Sequence, residues 1–252
     1  MSGAVLLTGG AGKFGKAIST YLVSLDWEVV ITCRDASEIG TENPAFNNIK
    51  DQIKILEVDL ENNNAAEQIV SRLEYENIKI SHLINNARSM KYLELNDLGE
   101  ALSENFLNEF NLDVVIPYNL VLSFAKSSFH ELCNVVNVGS MYGLVAPNPS
   151  LYDGNLIGSP VQYGVSKAAL HHLTKELAVR LADQHVRVNC VAFGGVSGRV
   201  DKSFESKYAQ LVPSKRMLLE SEVGGPIEFL LSSRSSAING HVMVADGGWS
   251  IM

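Results

Sequence analysis

Apolar positions along this chain follow two alternating patterns. Short, almost wholly apolar runs are separated by longer stretches in which apolar residues recur every three or four positions. Ala4–Leu7 is the first short run, and Glu28–Thr32, Ile53–Val58, His82–Asn85, Cys133–Val138, Val186–Ala192 and His241–Ala245 follow it. Runs of this length without polar alternation predict strands buried on both faces. Between the runs, Lys13–Leu25 predicts a helix, and so does roughly Ala101–Ser127, with Pro117 as a kink inside it. Val161–Gln184 is the third predicted helix. Its Leu170, Leu173, Thr174, Leu177, Ala178 and Leu181 fall on one helical face.

Alternation of buried strands with amphipathic helices predicts an α/β fold: a single-domain, doubly wound parallel sheet of Rossmann type, with helices on both faces, over residues 1–252. Ligands of such sheets bind beyond the carboxyl ends of the strands. The segments that follow the strands are therefore where chemistry is expected.

The first of these is Thr8-Gly9-Gly10-Ala11-Gly12-Lys13-Phe14-Gly15. A glycine directly after a strand allows a tight turn, and a second allows backbone to approach a pyrophosphate. A third allows the following helix to pack closely. Gly9, Gly12, Lys13, Phe14 and Gly15 are thus candidates for holding a dinucleotide's phosphates at a helix N-terminus. The second strand ends in Thr32-Cys33-Arg34-Asp35, beside the expected adenosine ribose. A guanidinium at Arg34 suits a 2′-phosphate and points to NADP(H) over NAD(H). Asp35 as a ribose ligand is the alternative.

Composition narrows the function classes. The chain has 252 residues, of which 46% are hydrophobic and 19% charged, which is enough apolar material for a full core. A formal charge of −8 argues against nucleic acid and anionic membrane as partners. Cys33, Cys133 and Cys190 are scattered and make neither a disulfide framework nor a zinc site, which fits a reducing cytoplasm. The six histidines have no metal-ligand spacing, so no metal is expected. No apolar run has membrane-spanning length, and the glycine turn comes too early for a signal peptide.

Further pieces fall in order on these elements: Asp59-Leu60, Asn85-Asn86-Ala87, Asn111-Leu112, Ser140, Tyr163-x-x-x-Lys167, Asn189 and Asp246-Gly247-Gly248. Together with the glycine turn they resemble the compact branch of the short-chain dehydrogenase/reductase family nearly end to end. The resemblance implies a catalytic tetrad of Asn111, Ser140, Tyr163 and Lys167. Tyr163 would act as general acid/base, Ser140 would bind the same substrate oxygen, Lys167 would hold the ribose and Asn111 a relay water. It also implies cofactor contacts at Asp59, Leu60, Asn85, Ala87 and the backbone of Val196. A homotetramer or homodimer is implied as well. Four residues apart on a helix, Tyr163 and Lys167 share a face, and an ammonium near a phenol favours its ionised form.

Departures from the family pattern point to the substrate. The G-x-x-G-x-x-G spacing resembles a longer, sugar-nucleotide branch, yet 252 residues leave no room for that branch's substrate region. Arg88 stands where a glycine usually follows Asn-Asn-Ala. It is either an anchor for a substrate carboxylate or phosphate or an exposed loop arginine. Ser140 and Tyr163 stand 23 positions apart, longer than usual, because of an insert at 147–160 beside the site. Tyr152, Asp153 and Asn155 in it are candidates for substrate hydroxyls. The resemblance implies a substrate lid over residues 197–219, whose Lys202, Lys207, Lys215 and Arg216 suit an acidic substrate or a merely solvated surface. The insert, Gly194-Gly195-Val196 and the ending Asp246–Ser250 resemble a bacterial subgroup acting in flagellin or surface-glycan modification with nonulosonate sugars. The expected function is NADP(H)-dependent interconversion of a carbonyl and a secondary alcohol on a sugar-like small molecule. A catalytically silent NADP(H) sensor or scaffold, and a sugar-nucleotide epimerase or dehydratase, are the alternatives.

Overall fold

The computed structural model describes residues 3–39, 44–152 and 158–252. Seven strands form one parallel sheet: β1 (Ala4–Leu7), β2 (Val29–Cys33), β3 (Ile53–Glu57), β4 (Ile80–Asn85), β5 (Asn134–Ser140), β6 (Arg187–Phe193) and β7 (Val242–Ala245). Their order across the sheet is β3-β2-β1-β4-β5-β6-β7. The order reverses between β1 and β4, and a crevice opens there at the carboxyl ends.

The helices are α1 (Lys13–Val23), α2 (Pro44–Asn47), α3 (Ala65–Tyr75), α4 (Ser103–Phe110), α5 (Ile116–Lys126), α6 (Val161–Arg180), α7 (Lys202–Leu211) and α8 (Gly224–Leu231). Side chains alternate across each strand. Leu6, Val30, Leu83, Val135 and Val188 enter one core with Ile69 and Leu73 of α3, Phe124 of α5 and Leu177 of α6. Val5, Leu7, Val29, Ile31, Ile84 and Val136 enter the opposite core with Ile18 and Leu22 of α1 and Ile227 and Leu230 of α8. Each such side chain contributes roughly 1.5–3 kcal/mol by burial. The sequence reading of the strands holds to within two residues at each end. Helix α3 is not marked by the pattern because polar residues separate its apolar positions, and α8 because it is only eight residues long and opens on Gly-Gly-Pro.

The predicted long helix is α4, a wide π-helical turn at Asn111–Val115, and α5 in direct continuation. The irregularity falls before Pro117, not at it. The proline ring crowds the carbonyl four residues back and removes one amide donor, so the preceding turn widens.

A third cluster lies away from the sheet. Met141, Leu151, Tyr208, Val212, Met217 and Trp249 are its buried members. Tyr208 and Trp249 stack at 4.5 Å. It joins the segment after β5, the start of the 147–160 insert, and α7. Among the described residues no helix is long and apolar enough to cross a membrane.

Candidate active site

A cleft of about 460 Å³ opens at the carboxyl ends of the strands, and the segments after β1, β2, β3, β4, β5 and β6 all line it. Its first wall is the glycine turn. Gly9 has φ +67, and a Cβ there would lie 2.7 Å from the Cα of Ala87. The turn is fastened to the end of β4: the amides of Asn86 and Ala87 donate to Thr8 Oγ1 at 2.9 and 3.1 Å, and Asn86 Nδ2 donates to the carbonyl of Thr8 at 2.8 Å. Gly12 is different. A Cβ there would meet only the Gly9 carbonyl, at 3.4 Å, so the protein itself makes little demand for glycine at this position. Gly12 caps α1 without a side-chain hydrogen bond, and the first turn holds no acid. The N-terminal amides of α1 are thus left for an anion, and the missing Cβ leaves room for it to come close. These residues fit the pyrophosphate of a nicotinamide dinucleotide.

Gly9, Gly12, Lys13, Phe14, Gly15, Arg34, Asp59, Leu60, Ala87 and Val196 all line the cleft. Asn85 does not. Its Nδ2 donates to Asn137 Oδ1 at 2.8 Å inside the sheet. Lys13 is already engaged, by the Ser197 carbonyl and by Glu220 at 3.2 Å. At the end of β2, Asp35 accepts a hydrogen bond from the amide of Ser37 at 2.7 Å, and the Ser37 side chain, then this amide, hold its carboxyl below the usual range. Arg34 faces the cleft and Asp35 does not. Glu61, which the sequence reading did not single out, also lines the cleft and accepts from Tyr92. That bond, with burial, pushes the Tyr92 phenol up to about 12.

Ser140, Tyr163 and Lys167 all line the same cleft. Ser140 ends β5, and its Oγ accepts from the amide of Tyr142 at 3.2 Å, which leaves its own proton free to donate. Tyr163 and Lys167 stand one turn apart on α6, with the Lys167 Nζ 5.7 Å from the centre of the Tyr163 ring. Lys167 is buried and donates to Asp113 Oδ1 at 2.8 Å and to the carbonyl of Val138 at 3.1 Å. Burial pulls its pKa down, but the charge of Asp113, then Tyr163, and the bond to Asp113 outweigh that and hold it above the ordinary value.

Asn111 opens the π-helical turn, is half-buried and does not line the cleft. Asp113, two residues on, is the residue of this turn that reaches Lys167. Glu109 lies one turn earlier, fully buried, with both carboxylate oxygens lacking a hydrogen-bond partner. Burial, and next the charge of Asp113, push it up to about 7, against the pull of Lys167 and Arg88. Neither acid stood out in the sequence. An acid in a helix is usually solvated, and only the placement of α4 against α6 puts these two inside.

Arg88 lies over the Tyr163 ring, its Cζ 4.8 Å from the ring centre. Arg199 lines the same cleft and, unlike Arg88, carries no mark in the sequence. The four lid cations do not line it, and Arg216 is held by two 2.7 Å bonds to Glu222. Of the two readings of those four, the merely solvated surface is the one this placement supports. Tyr152 does not line the cleft either. Its hydroxyl is 2.9 Å from that of Tyr142, and its ring packs edge-on against Phe204 of α7. Asp153 and Asn155 lie outside the described residues. His171 is buried and His172 exposed, and burial, then Lys167, pull His171 down to about 4.

A family model described as enoyl-(acyl carrier protein) reductase matches residues 10–250. Post-translational flagellin modification protein A of Campylobacter coli is 25% identical and covers 98% of both chains. Among solved structures, a short chain dehydrogenase from Leptospira borgpetersenii with bound NAD+ aligns with a TM-score of 0.83 at 25% identity, over 98% of this chain and 92% of that one. The RhlG/NADP active-site complex of Pseudomonas aeruginosa aligns at 0.82 and 22%, over 99% and 97%.

Proposed function

The chain belongs to the short-chain dehydrogenase/reductase family and is an oxidoreductase with a nicotinamide cofactor, and we propose that it uses NADP(H) to interconvert a carbonyl and a secondary alcohol on a sugar-like substrate. The observation that carries this reading is Tyr163 standing in the cleft with Ser140 beside it and the Lys167–Asp113 pair beneath it. The bound nicotinamide supplies or accepts the hydride. In the reducing direction the Tyr163 hydroxyl donates its proton to the substrate oxygen. The free Ser140 proton donates to the same oxygen and steadies its developing charge. The Lys167 ammonium stabilises the phenolate that remains.

NADP(H) is favoured because Arg34 faces the cleft while the Asp35 carboxylate is occupied by Ser37. A sugar-like substrate from a glycan pathway rests on the likeness to the flagellin modification protein. A homo-oligomer is supported by the apolar side chains left exposed along α4 to α6, among them Leu107, Phe110, Val115 and Val161.

The test is an NADPH-consumption screen over keto-sugars, nonulosonate precursors and a 3-oxoacyl thioester, with Tyr163→Phe alongside. Turnover of a keto-sugar that falls at least ~100-fold in Tyr163→Phe is expected, the lower end of what a positioned acid contributes. Turnover undiminished in that variant overturns the role of Tyr163. Turnover of the thioester alone overturns the sugar reading. Substrate conversion with no net loss of NADPH would mark an epimerase.

A further inference from the structure

Arg88 and Arg199 come from different parts of the chain, the loops after β4 and β6, and line one cleft. Arg88 lies 4.8 Å from the centre of the Tyr163 ring. Arg199 feels the charges of both Arg88 and Tyr163. Partial burial lowers its pKa, and the Arg88 charge lowers it further. Two like charges brought into one cleft are unfavourable without a counter-charge.

The nearby carboxylates do not supply one. Glu220 acts on Arg199 at a distance but is paired with Lys13 at 3.2 Å. Asp113 is paired with Lys167 at 2.8 Å, and Glu109 is sealed beneath in the core. Among the described residues no carboxylate pairs with either arginine. A guanidinium offers a planar fork of donors matched to an oxyanion, and two of them define a site for one.

Resting on the carbonyl–alcohol reading of this site, we infer that Arg88 and Arg199 form a subsite for an oxyanion on the substrate, a carboxylate or a phosphate monoester, carried close to the reacting carbonyl. The cofactor's own anions have other places in the cleft. Its pyrophosphate fits the free amides at Gly12–Gly15, and a 2′-phosphate fits Arg34. Arg88 instead stands at Tyr163, where the substrate oxygen is protonated, and Arg199 lines the same cleft. The substrate class is therefore an acidic carbonyl compound, such as a keto-sugar acid or a keto-sugar phosphate.

The experiment is calorimetric titration of the NADP+-saturated protein with inorganic phosphate and, separately, with acetate. Wild type, Arg88→Gln and Arg199→Gln are compared, and NADP+ affinity is measured for each. Both arginines are solvent-exposed at the mouth, so the variants keep the core. Binding of at least one anion is expected, tenfold or more weaker in each variant, with NADP+ affinity changed less than twofold. Preference for phosphate assigns a phosphate monoester, and preference for acetate a carboxylate. The inference is overturned if neither anion binds, or if the variants leave binding unchanged. It is also overturned if Arg199→Gln weakens NADP+ and not the anion. The carbonyl–alcohol reading fails separately. Anion binding that depends on both arginines, in a protein that consumes no NADPH with any carbonyl, keeps the subsite and discards that reaction.

Discussion

On the helix side of Tyr163, Lys167 holds its charge against Asp113 at 2.8 Å inside the core, whereas on the solvent side Arg88 and Arg199 carry theirs with no carboxylate of the described residues against them. The two sides are built of similar charges and answer to different forces. The floor must be neutralised within the protein, because water cannot reach it and an unpaired buried ion is costly. The mouth stays in contact with water, which screens its repulsion until a ligand replaces the water. Charge in the floor therefore serves the folded state and fixes Lys167, while charge in the mouth is left to the ligand binding proposed above. Variants that remove one member from each side separate these roles.

The largest effect is expected in the floor. Asp113→Ala leaves the Lys167 ammonium buried without a partner, and breaking a buried pair in this way costs about 3–5 kcal/mol. Thermal unfolding should drop by roughly 10 °C for a chain of this size. The loss also removes the charge and the hydrogen bond that hold the Lys167 pKa up, so the pH profile of kcat should change along with stability. Unchanged melting and an unchanged profile would mean that the floor is no more coupled than the mouth.

Glu109 gives the next effect, and its sign is opposite. Its folded pKa of about 7 lies above the ordinary value of 4.5. The folded state therefore keeps a proton that the unfolded chain releases at lower pH. Stability from this group is lost as pH rises from 4.5 through 7 and does not return above it. At about 1.4 kcal/mol per unit, the loss is on the order of 3 kcal/mol, with Asp113, Lys167 and Arg88 setting how much of it is realised. Glu109→Gln removes the ionisation and keeps the shape. Denaturant unfolding should show the variant gaining on the wild type between pH 5 and 8. A constant difference across that range would mean that Glu109 does not titrate there.

How much of this was legible in the sequence depends on which force sets each feature. The strands are apolar on both faces and lie in one parallel sheet, so Ala4–Leu7 and its counterparts could be read directly. The turn at Gly9 and the pair Tyr163 and Lys167 are local patterns, fixed by a tight bend and by one turn of helix, and they fall in the cleft as expected. Asp113, Glu109 and Arg199 were not legible. Their places come from contacts between segments far apart in sequence, and an acid or an arginine alone carries no mark of which way it faces. Lys202, Lys207, Lys215 and Arg216 left two readings open for the same reason. Counting cations along a segment does not say which way they face, and Arg216 is spent on Glu222.

Arg34 gives the smallest expected effect and the sharpest form of the comparison. It faces the far end of the cleft, is exposed, and carries a charge that folding does not need. Arg34→Ala should leave the melting temperature within a degree or so of wild type, as surface substitutions usually do within about 0.5 kcal/mol. The same change should weaken NADPH relative to NADH by about tenfold, one charge-assisted contact of roughly 1.5 kcal/mol to a 2′-phosphate. Titrating both cofactors by fluorescence checks it. If NADH binds the wild type more tightly, Arg34 does not select the cofactor, and Asp35 must leave Ser37 to hold the ribose. If instead Arg34→Ala unfolds as easily as Asp113→Ala, an exposed guanidinium is as structural as a buried ion pair, and the division between floor and mouth fails. A stable variant with an inverted cofactor ratio would extend that division along the whole cleft, with the cations that face solvent free of any folding role and available to ligands.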